Sequence, residues 1–299
     1  MSETHYAFPE AIPEAKTDHI KRKMFDLAYA DSSPAQKLDI YWPEEGDGPF
    51  PVIVSIHGGA FMGGDKRDIQ LTPMFEALKR NYVLVGVNYR MSGEAEFPAL
   101  IHDVKAAIRW IRANAKKYLF DPKRIATWGG SAGGYLSLMM GVSAWAIELD
   151  DLTLGNPEQP SHVQAVVDWF GPTDFLKMDE QLAESGFAPP VEFSHSGADS
   201  PESLLLGAQI TQIPDLVRKA NPETYIRSIA PPFFIQHGTH DDTVPHQQSV
   251  NMAAKLVDVI GADKVMLELL PNARHADPAF ETPQNVKKVL DFLDSILHS

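Results

Sequence analysis

TWGGSAGGYL, residues 127–136, sets one serine among four glycines at the end of an apolar run. Glycine weakens helices and strands alike, so Gly129, Gly130, Gly133 and Gly134 around Ser131 give up local stability. Two readings of the stretch are open. One is a plain strand-to-helix turn, where glycine supplies unusual backbone angles or lets two elements approach. The other is a nucleophile elbow: Gly129-Gly130-Ser131-Ala132-Gly133 fits G-x-S-x-G, a strained turn that lifts a serine hydroxyl above the edge of a sheet. So short a pattern also occurs by chance, and the surrounding chain has to decide.

An elbow must follow a strand and open a helix. RIATWG (124–129) reads as a strand, and AGGYLSLMMGVSAW after Ser131 reads as a helix. Further strands are expected at 24–29, 36–42, 51–57, 82–88, 163–170, 231–237 and 265–270. Helices are expected over 98–117, near 246–260 and over 284–297; the first carries Leu100, Val104, Ala107, Ile108 and Ile111 on one face. Strand and helix in alternation imply an α/β fold with a mainly parallel sheet covered on both faces. Residues 171–230 break the alternation. They are rich in Pro, Gly and Ser, hold short amphipathic pieces at 202–206 and 214–219, and are too long for an ordinary connection. A cap inserted between two strands is expected there, over a single domain spanning 1–299.

A serine nucleophile needs a base and an acid that orients it, since its hydroxyl is hardly ionised at neutral pH. In a sheet of this kind they follow in the order serine, acid, histidine, each in a loop after a later strand. THDDTVP places Asp241 and Asp242 after the strand at 231–237, and RHADP places His275 after the strand at 265–270. Taken alone, the acidic pair reads equally as a helix cap or a solvated loop, and His275 as a surface histidine. An ester carbonyl under attack also needs donors for its oxygen. SIHGGAFMGGD (55–65) ends a strand with glycines that let backbone N–H groups approach a bound carbonyl, and it lacks the spacing of a phosphate-binding loop.

Composition bounds the partners. With 299 residues, 44% hydrophobic and 22% charged, the chain can bury one large core. Its 26 basic and 40 acidic residues give a net charge of −14, which argues against nucleic acid and against an anionic membrane surface as partners. The absence of cysteine excludes disulfides and thiolate chemistry. The N-terminal stretch is polar, and no run approaches the length of a membrane span, so a soluble, cytoplasmic protein is expected unless a leader has been removed.

HGGAFMGGDK, the segment from Val87 to Leu136, and HGTHDDTVPHQQSV together resemble α/β-hydrolase esterases, in particular the BD-FAE-like and hormone-sensitive-lipase-like carboxylesterases. The resemblance spans about residues 25–298, is strongest over 51–145, and weakens in the inserted segment. It implies an α/β-hydrolase fold, a Ser-Asp-His triad, no cofactor, and a small-molecule ester of short-acyl or aromatic type, feruloyl and acetyl esters included. Position by position it makes Ser131 the nucleophile, Asp241 the acid and His275 the base, with the N–H groups of Gly59, Ala60 and Ala132 as the oxyanion hole. Asp242 would then turn away and accept backbone N–H bonds ahead of Pro245. Two positions depart from the pattern. Ala60 stands where many relatives have a third glycine, and Arg274 stands where glycine commonly precedes the histidine.

Phe61, Trp169 and Phe170 adjoin the expected loops and are candidate substrate contacts, although aromatics at strand ends also pack cores. His57 is expected to hold the oxyanion loop, and Lys66 to be a surface or loop-stabilising charge. His237, His240 and Asp242 match no common metal-ligand spacing, so no metal is expected. An amidase, formamidase or peptidase on the same fold is the near alternative to an esterase. A hydrolase-fold protein that binds without turnover is the remote one.

Overall fold

The computed structural model describes residues 12–187 and 194–298. Among them, one sheet is built from β1 (Lys23–Ala28), β2 (Lys37–Tyr41), β3 (Phe50–Ile56), β4 (Val83–Val87), β5 (Phe120–Gly130), β6 (Ala165–Trp169), β7 (Phe233–Gly238) and β8 (Val265–Leu270). Their spatial order is β1-β2-β4-β3-β5-β6-β7-β8. β2 pairs antiparallel with both β1 and β4, and every pairing from β4 to β8 is parallel. Parallel neighbours need long crossovers, and the helices supply them. They are α1 (Ala99–Ala113), α2 (Ala115–Tyr118) and α3 (Ala132–Val142) on either side of β5 in the chain, and α7 (Gln247–Ile260) and α8 (Pro283–Leu297) around β8. Between β6 and β7 the chain forms the short helices α4 (Met178–Glu184), α5 (Pro201–Leu206) and α6 (Pro214–Ala220) with several 3₁₀ turns.

Central strands covered on both faces read as continuous apolar runs, and β3 is buried at every residue. Alternate side chains enter different cores. Val52 and Val54 pack with Val104 and Ile108 of α1 and Leu136 of α3. Ile53, with Trp128 and Phe234, packs with Val289 and Leu293 of α8 and with Leu71 and Met74.

The strands fall where the periodicity predicts them, and three other details differ. The helix expected over 98–117 is two: Asn114 leaves helical geometry and its Nδ2 donates to the Trp110 carbonyl (3.0 Å), a side-chain bond that competes with the helix ladder. Residues Ile69–Arg80, not anticipated as helical, form a 3₁₀ segment around Pro73. The run 265–270 is apolar like the buried strands, yet β8 lies at the sheet edge with Met266 and Leu267 exposed.

Candidate active site

β5 ends at Gly130 and α3 begins at Ala132, so the turn between them is Ser131 alone. Its φ of 56° and ψ of −122° lie where a residue with a Cβ is strained. The flanking glycines do not share that conformation: none of Gly129, Gly130, Gly133 and Gly134 has a positive φ. They make room instead. A Cβ on Gly133 would collide with the Ile56 carbonyl at the end of β3, so α3 can start this close to the sheet only without one. The Ser131 N–H donates to the Trp169 carbonyl (2.9 Å) and its carbonyl accepts from Tyr135 (2.9 Å), which pins the turn between β6 and α3.

The loops after β7 and β8 bring the acid and the histidine to that serine. Ser131 Oγ lies 3.0 Å from His275 Nε2, and His275 Nδ1 lies 2.8 Å from Asp241 Oδ2. With the proton on Nδ1, His275 donates to Asp241 and its Nε2 accepts from the serine hydroxyl. Asp241 is buried and uses its other oxygen on its own loop: Oδ1 accepts the N–H groups of Thr243 (2.9 Å) and Val244 (2.8 Å). Those are the bonds expected of Asp242. Asp242 takes none; it is exposed, 4.0 Å from Arg274 Nη1. The physical reason is that one carboxylate, buried at the start of the turn, reaches both N–H groups and leaves its neighbour facing water.

His237 stands behind the acid. Its Nε2 lies 3.2 Å from Asp241 Oδ2 and 2.9 Å from the Val244 carbonyl, so Nε2 carries the proton, and Nδ1 accepts from Ser249 Oγ (2.7 Å). Burial disfavours the charged form of Asp241. The charge of His275, and hydrogen bonds from His237 and His275, outweigh that and hold the carboxyl well below the usual carboxylate range. Arg274, where a glycine is common, points into solvent and does not obstruct the loop.

The N–H groups of Gly59, Ala60 and Ala132 have no protein acceptor among the described residues, and these residues border a cavity of about 660 Å³ with Ser131 and His275. Gly59 (φ 129°) and Ala60 (φ 49°) are both left-handed, a conformation that suits glycine better than alanine. The loop is closed by Met62 and Gly63 N–H bonds to the Gly59 carbonyl (2.9 and 3.0 Å). Gln70 Oε1 accepts from Gly58 N–H (3.0 Å) and holds the loop from the 3₁₀ segment. His57 braces it from below: the ring is buried, stacks on Tyr89 (4.6 Å) and contacts the Gly58 carbonyl (2.9 Å). Burial lowers its pKa, which keeps the imidazole neutral.

Of the aromatic candidates, Phe170 borders the cavity and meets the His275 ring edge-on at 4.8 Å. Phe61 borders the cavity too, with its ring buried against Tyr135 and Phe175. Trp169 does not reach it. The last residue of β6 faces the α8 side, so its indole packs on Trp128 and Phe280 and donates to Gln236 Oε1 (2.7 Å). Of the two roles expected of Lys66, the structure leaves the loop-stabilising one: it is buried, not on the surface, with Asp26 at 2.8 Å and Asp39 at 3.6 Å. Motif spacing gave no sign of Gln70, or of His195 and Glu202, which enter the cavity from the segment between β6 and β7. Buried carboxylates and histidines outside any pattern become visible only in three dimensions.

The BD-FAE family model matches residues 38–256. Esterase LipQ of Mycobacterium tuberculosis is 32% identical over 276 residues, which are 91% of this chain and 62% of LipQ. Esterase LipC of the same organism is 31% identical over 255 residues, 83% of this chain and 58% of LipC. The chain thus spans little more than half the length of these curated relatives. A truncated form of a carbohydrate esterase from gut microbiota superposes with a TM-score of 0.82 at 32% identity, covering 94% of this chain and 98% of that one. A match across most of the chain, on a sheet of this order with the elbow at the end of its central strand, places the protein in the BD-FAE family, with the α/β-hydrolase fold.

Proposed function

We propose that the protein is a serine carboxylesterase that cleaves short-acyl or aromatic esters through an acyl-enzyme. The observation that carries this reading is the unbroken chain from Ser131 Oγ to His275 (3.0 Å) and from His275 to Asp241 (2.8 Å), opening on a cavity bordered by unpaired N–H donors. His275 Nε2 takes the Ser131 proton as Oγ attacks the ester carbon. The carbonyl oxygen becomes an oxyanion held by the N–H groups of Gly59, Ala60 and Ala132, each donor contributing on the order of 3 kcal/mol to the transition state. The tetrahedral centre collapses, the ester C–O bond breaks, and His275 returns the proton to the departing alcohol. Water then attacks the acyl-enzyme, loses its proton to His275, and releases the acid as Oγ is reprotonated.

Asp241 serves this cycle by remaining ionised. It holds the Nδ1–H tautomer of His275 and stabilises the imidazolium formed twice per turnover. The described residues of 171–230 act as the cap, since Leu182, His195 and Glu202 border the cavity from that segment; 188–193 lie outside the described residues. Relatives named as esterases support the reaction class, and one named as a carbohydrate esterase supports including acetylated and feruloylated sugars among test substrates.

The test is hydrolysis of p-nitrophenyl acetate, butyrate and palmitate, acetylated and feruloylated sugars, and aminoacyl anilides by the wild type and Ser131→Ala. Ester turnover fastest for the short or aromatic acyl groups and abolished in Ser131→Ala is expected, together with a paraoxon adduct on Ser131. Anilides cleaved faster than every ester would favour the amidase reading, and an adduct on another residue would remove Ser131 as nucleophile.

A further inference from the structure

Gly58 is the joint between two peptide planes. The plane it shares with His57 ends in the Gly58 N–H, and the plane it shares with Gly59 carries the Gly59 N–H, a donor of the proposed oxyanion hole. Only φ and ψ of Gly58 relate the two planes, and glycine restricts those angles less than any other residue. Each plane is therefore held from outside. His57 Nδ1 lies 2.9 Å from the Gly58 carbonyl and holds the second. Gln70 Oε1 accepts the Gly58 N–H at 3.0 Å and holds the first. Gly58 is confined on the far side as well, since a Cβ there would come within 2.7 Å of the Gly130 carbonyl oxygen and 3.3 Å of Ser131 Cβ.

The Gln70 amide must face one way to do this. Gly58 presents a donor and so requires Oε1. Asp68, when ionised, presents only acceptors: its Oδ2 takes a hydrogen bond from Gln70 Nε2 (2.9 Å) and its Oδ1 one from the Gln70 backbone N–H (3.0 Å). Turned over, the amide would set Nε2 against the Gly58 N–H and Oε1 against a carboxylate, so a single orientation satisfies both neighbours. Asp68 is 2% exposed, and burial raises its pKa to about 6 against the bonds from Asp65 and Gln70, which leaves it ionised at pH 8. The chain on either side of it is anchored: Ile69 N–H donates to the Pro13 carbonyl (2.7 Å), and Ala15 N–H to the Arg67 carbonyl (2.8 Å).

We propose that Gln70 is a positioning residue for the oxyanion hole, and that Asp68, by setting the Gln70 amide, keeps the Gly59 N–H aimed at the developing oxyanion. The inference rests on the esterase reading above and adds to it the pair that holds the donor in place.

Exchanging the chemistry of the two side chains tests it at pH 8. Gln70→Glu alone sets one carboxylate against another. Asp68→Asn alone sets Nδ2 against Nε2, or turns the Gln70 amide away from Gly58. Combined, the two changes restore a donor facing an acceptor and leave a carboxylate oxygen for the Gly58 N–H. Each single variant should lower kcat by about tenfold or more, part of what the loss of an oxyanion donor costs, with KM within about twofold of the wild type. The double variant should recover most of the lost kcat. An alkyl trifluoromethyl ketone supplies the second readout: Ser131 adds to its carbonyl, the serine proton passes to His275, and the alkoxide formed lies among the same N–H donors. Its inhibition constant should weaken in each single variant in step with kcat/KM and recover in the double variant. A residue that only supports the fold would change the melting temperature and leave kcat and this inhibition where they were. Should Gln70→Glu not fold, Gln70→Met removes both side-chain hydrogen bonds without adding a charge, and the same loss of kcat at constant KM is expected. An unchanged kcat, a rise in KM in place of the kcat loss, or a double variant no better than either single one would each overturn the proposal. Wild-type turnover of p-nitrophenyl acetate with paraoxon labelling of Ser131 tests the esterase reading separately, so one can fail while the other stands.

Discussion

Asp241 and Asp242 are adjacent in the chain and opposite in environment: Asp241 is 1% exposed with Oδ2 at 2.8 Å from His275, whereas Asp242 faces solvent beside Arg274. Asp241→Asn should lower kcat by about 10⁴-fold, because an amide no longer fixes the Nδ1–H tautomer or balances the imidazolium. Asp242→Asn should stay within about 0.5 kcal/mol of the wild type in stability, since the turn bonds it could have supplied belong to its neighbour. Steady-state kinetics and thermal melts of the two variants side by side decide it. An inactive Asp242→Asn with an active Asp241→Asn would reverse the assignment.

His237 supplies the second side-chain hydrogen bond to Asp241, and its loss should be visible in the pH dependence of stability. A carboxyl depressed in the folded state stabilises above its unfolded pKa, about 3.9, and that contribution is lost as pH falls through the folded value. Asp241 is such a group. His237→Phe removes a donor and so raises the folded pKa of Asp241. Acid unfolding should then begin at higher pH, with a loss of about 1.5–3 kcal/mol near neutrality for a hydrogen bond to a charged group. Melting curves from acid to neutral pH measure both, and an unshifted acid limb would show that His237 does not act on Asp241.

Asp168 in β6 is a buried carboxyl of the opposite kind. Its Oδ1 accepts only the Gly171 N–H (2.9 Å) and its Oδ2 has no partner. Burial, opposed by the Gly171 bond, pushes its pKa up to about 7. The unfolded chain releases this proton near pH 4 and the folded protein holds it to about 7, so stability falls with rising pH across that window and stays low above it. Asp168→Asn should abolish this slope and gain roughly 2–4 kcal/mol at pH 8, with little gain below pH 4. Equal melting temperatures of variant and wild type at pH 8 would contradict it.

The sequence made the sheet legible because buried parallel strands are dense apolar runs. Ser131, Asp241 and His275 stood out because the proposed chemistry calls for fixed residue types at strand ends, and the fold brings the three within hydrogen-bond reach of one another. Trp169 was misplaced because periodicity does not say which face of β6 meets the cavity, and its burial on the α8 side comes from packing with Trp128 and Phe280. Lys66, Gln70 and His195 act through partners further off along the chain, Asp39 for Lys66, Gly58 for Gln70 and the Thr243 carbonyl for His195, and no local pattern encodes those distances. The β8 edge was likewise invisible, because a strand's position in the sheet depends on the order of crossovers.

Ser131 holds the strained conformation that the surrounding glycines avoid, so its strain and its chemistry can be separated by two substitutions. Ser131→Ala removes the hydroxyl and keeps the Cβ, and therefore the strain. Ser131→Gly removes both, at the cost of a freer unfolded chain. A residue forced into such a region costs about 1–3 kcal/mol, and the entropy of glycine returns roughly 0.5–1 kcal/mol of any relief. Ser131→Gly should therefore be more stable than Ser131→Ala by about 1 kcal/mol, and both should be inactive. That order would mean that the fold gives up stability to present the hydroxyl, as expected where activity requires a strained site. Differential scanning calorimetry of the two variants measures the gap. A Ser131→Ala protein more stable than Ser131→Gly would show that packing around the Cβ at the end of β5 repays the strain locally, and that the elbow is not a reservoir of it.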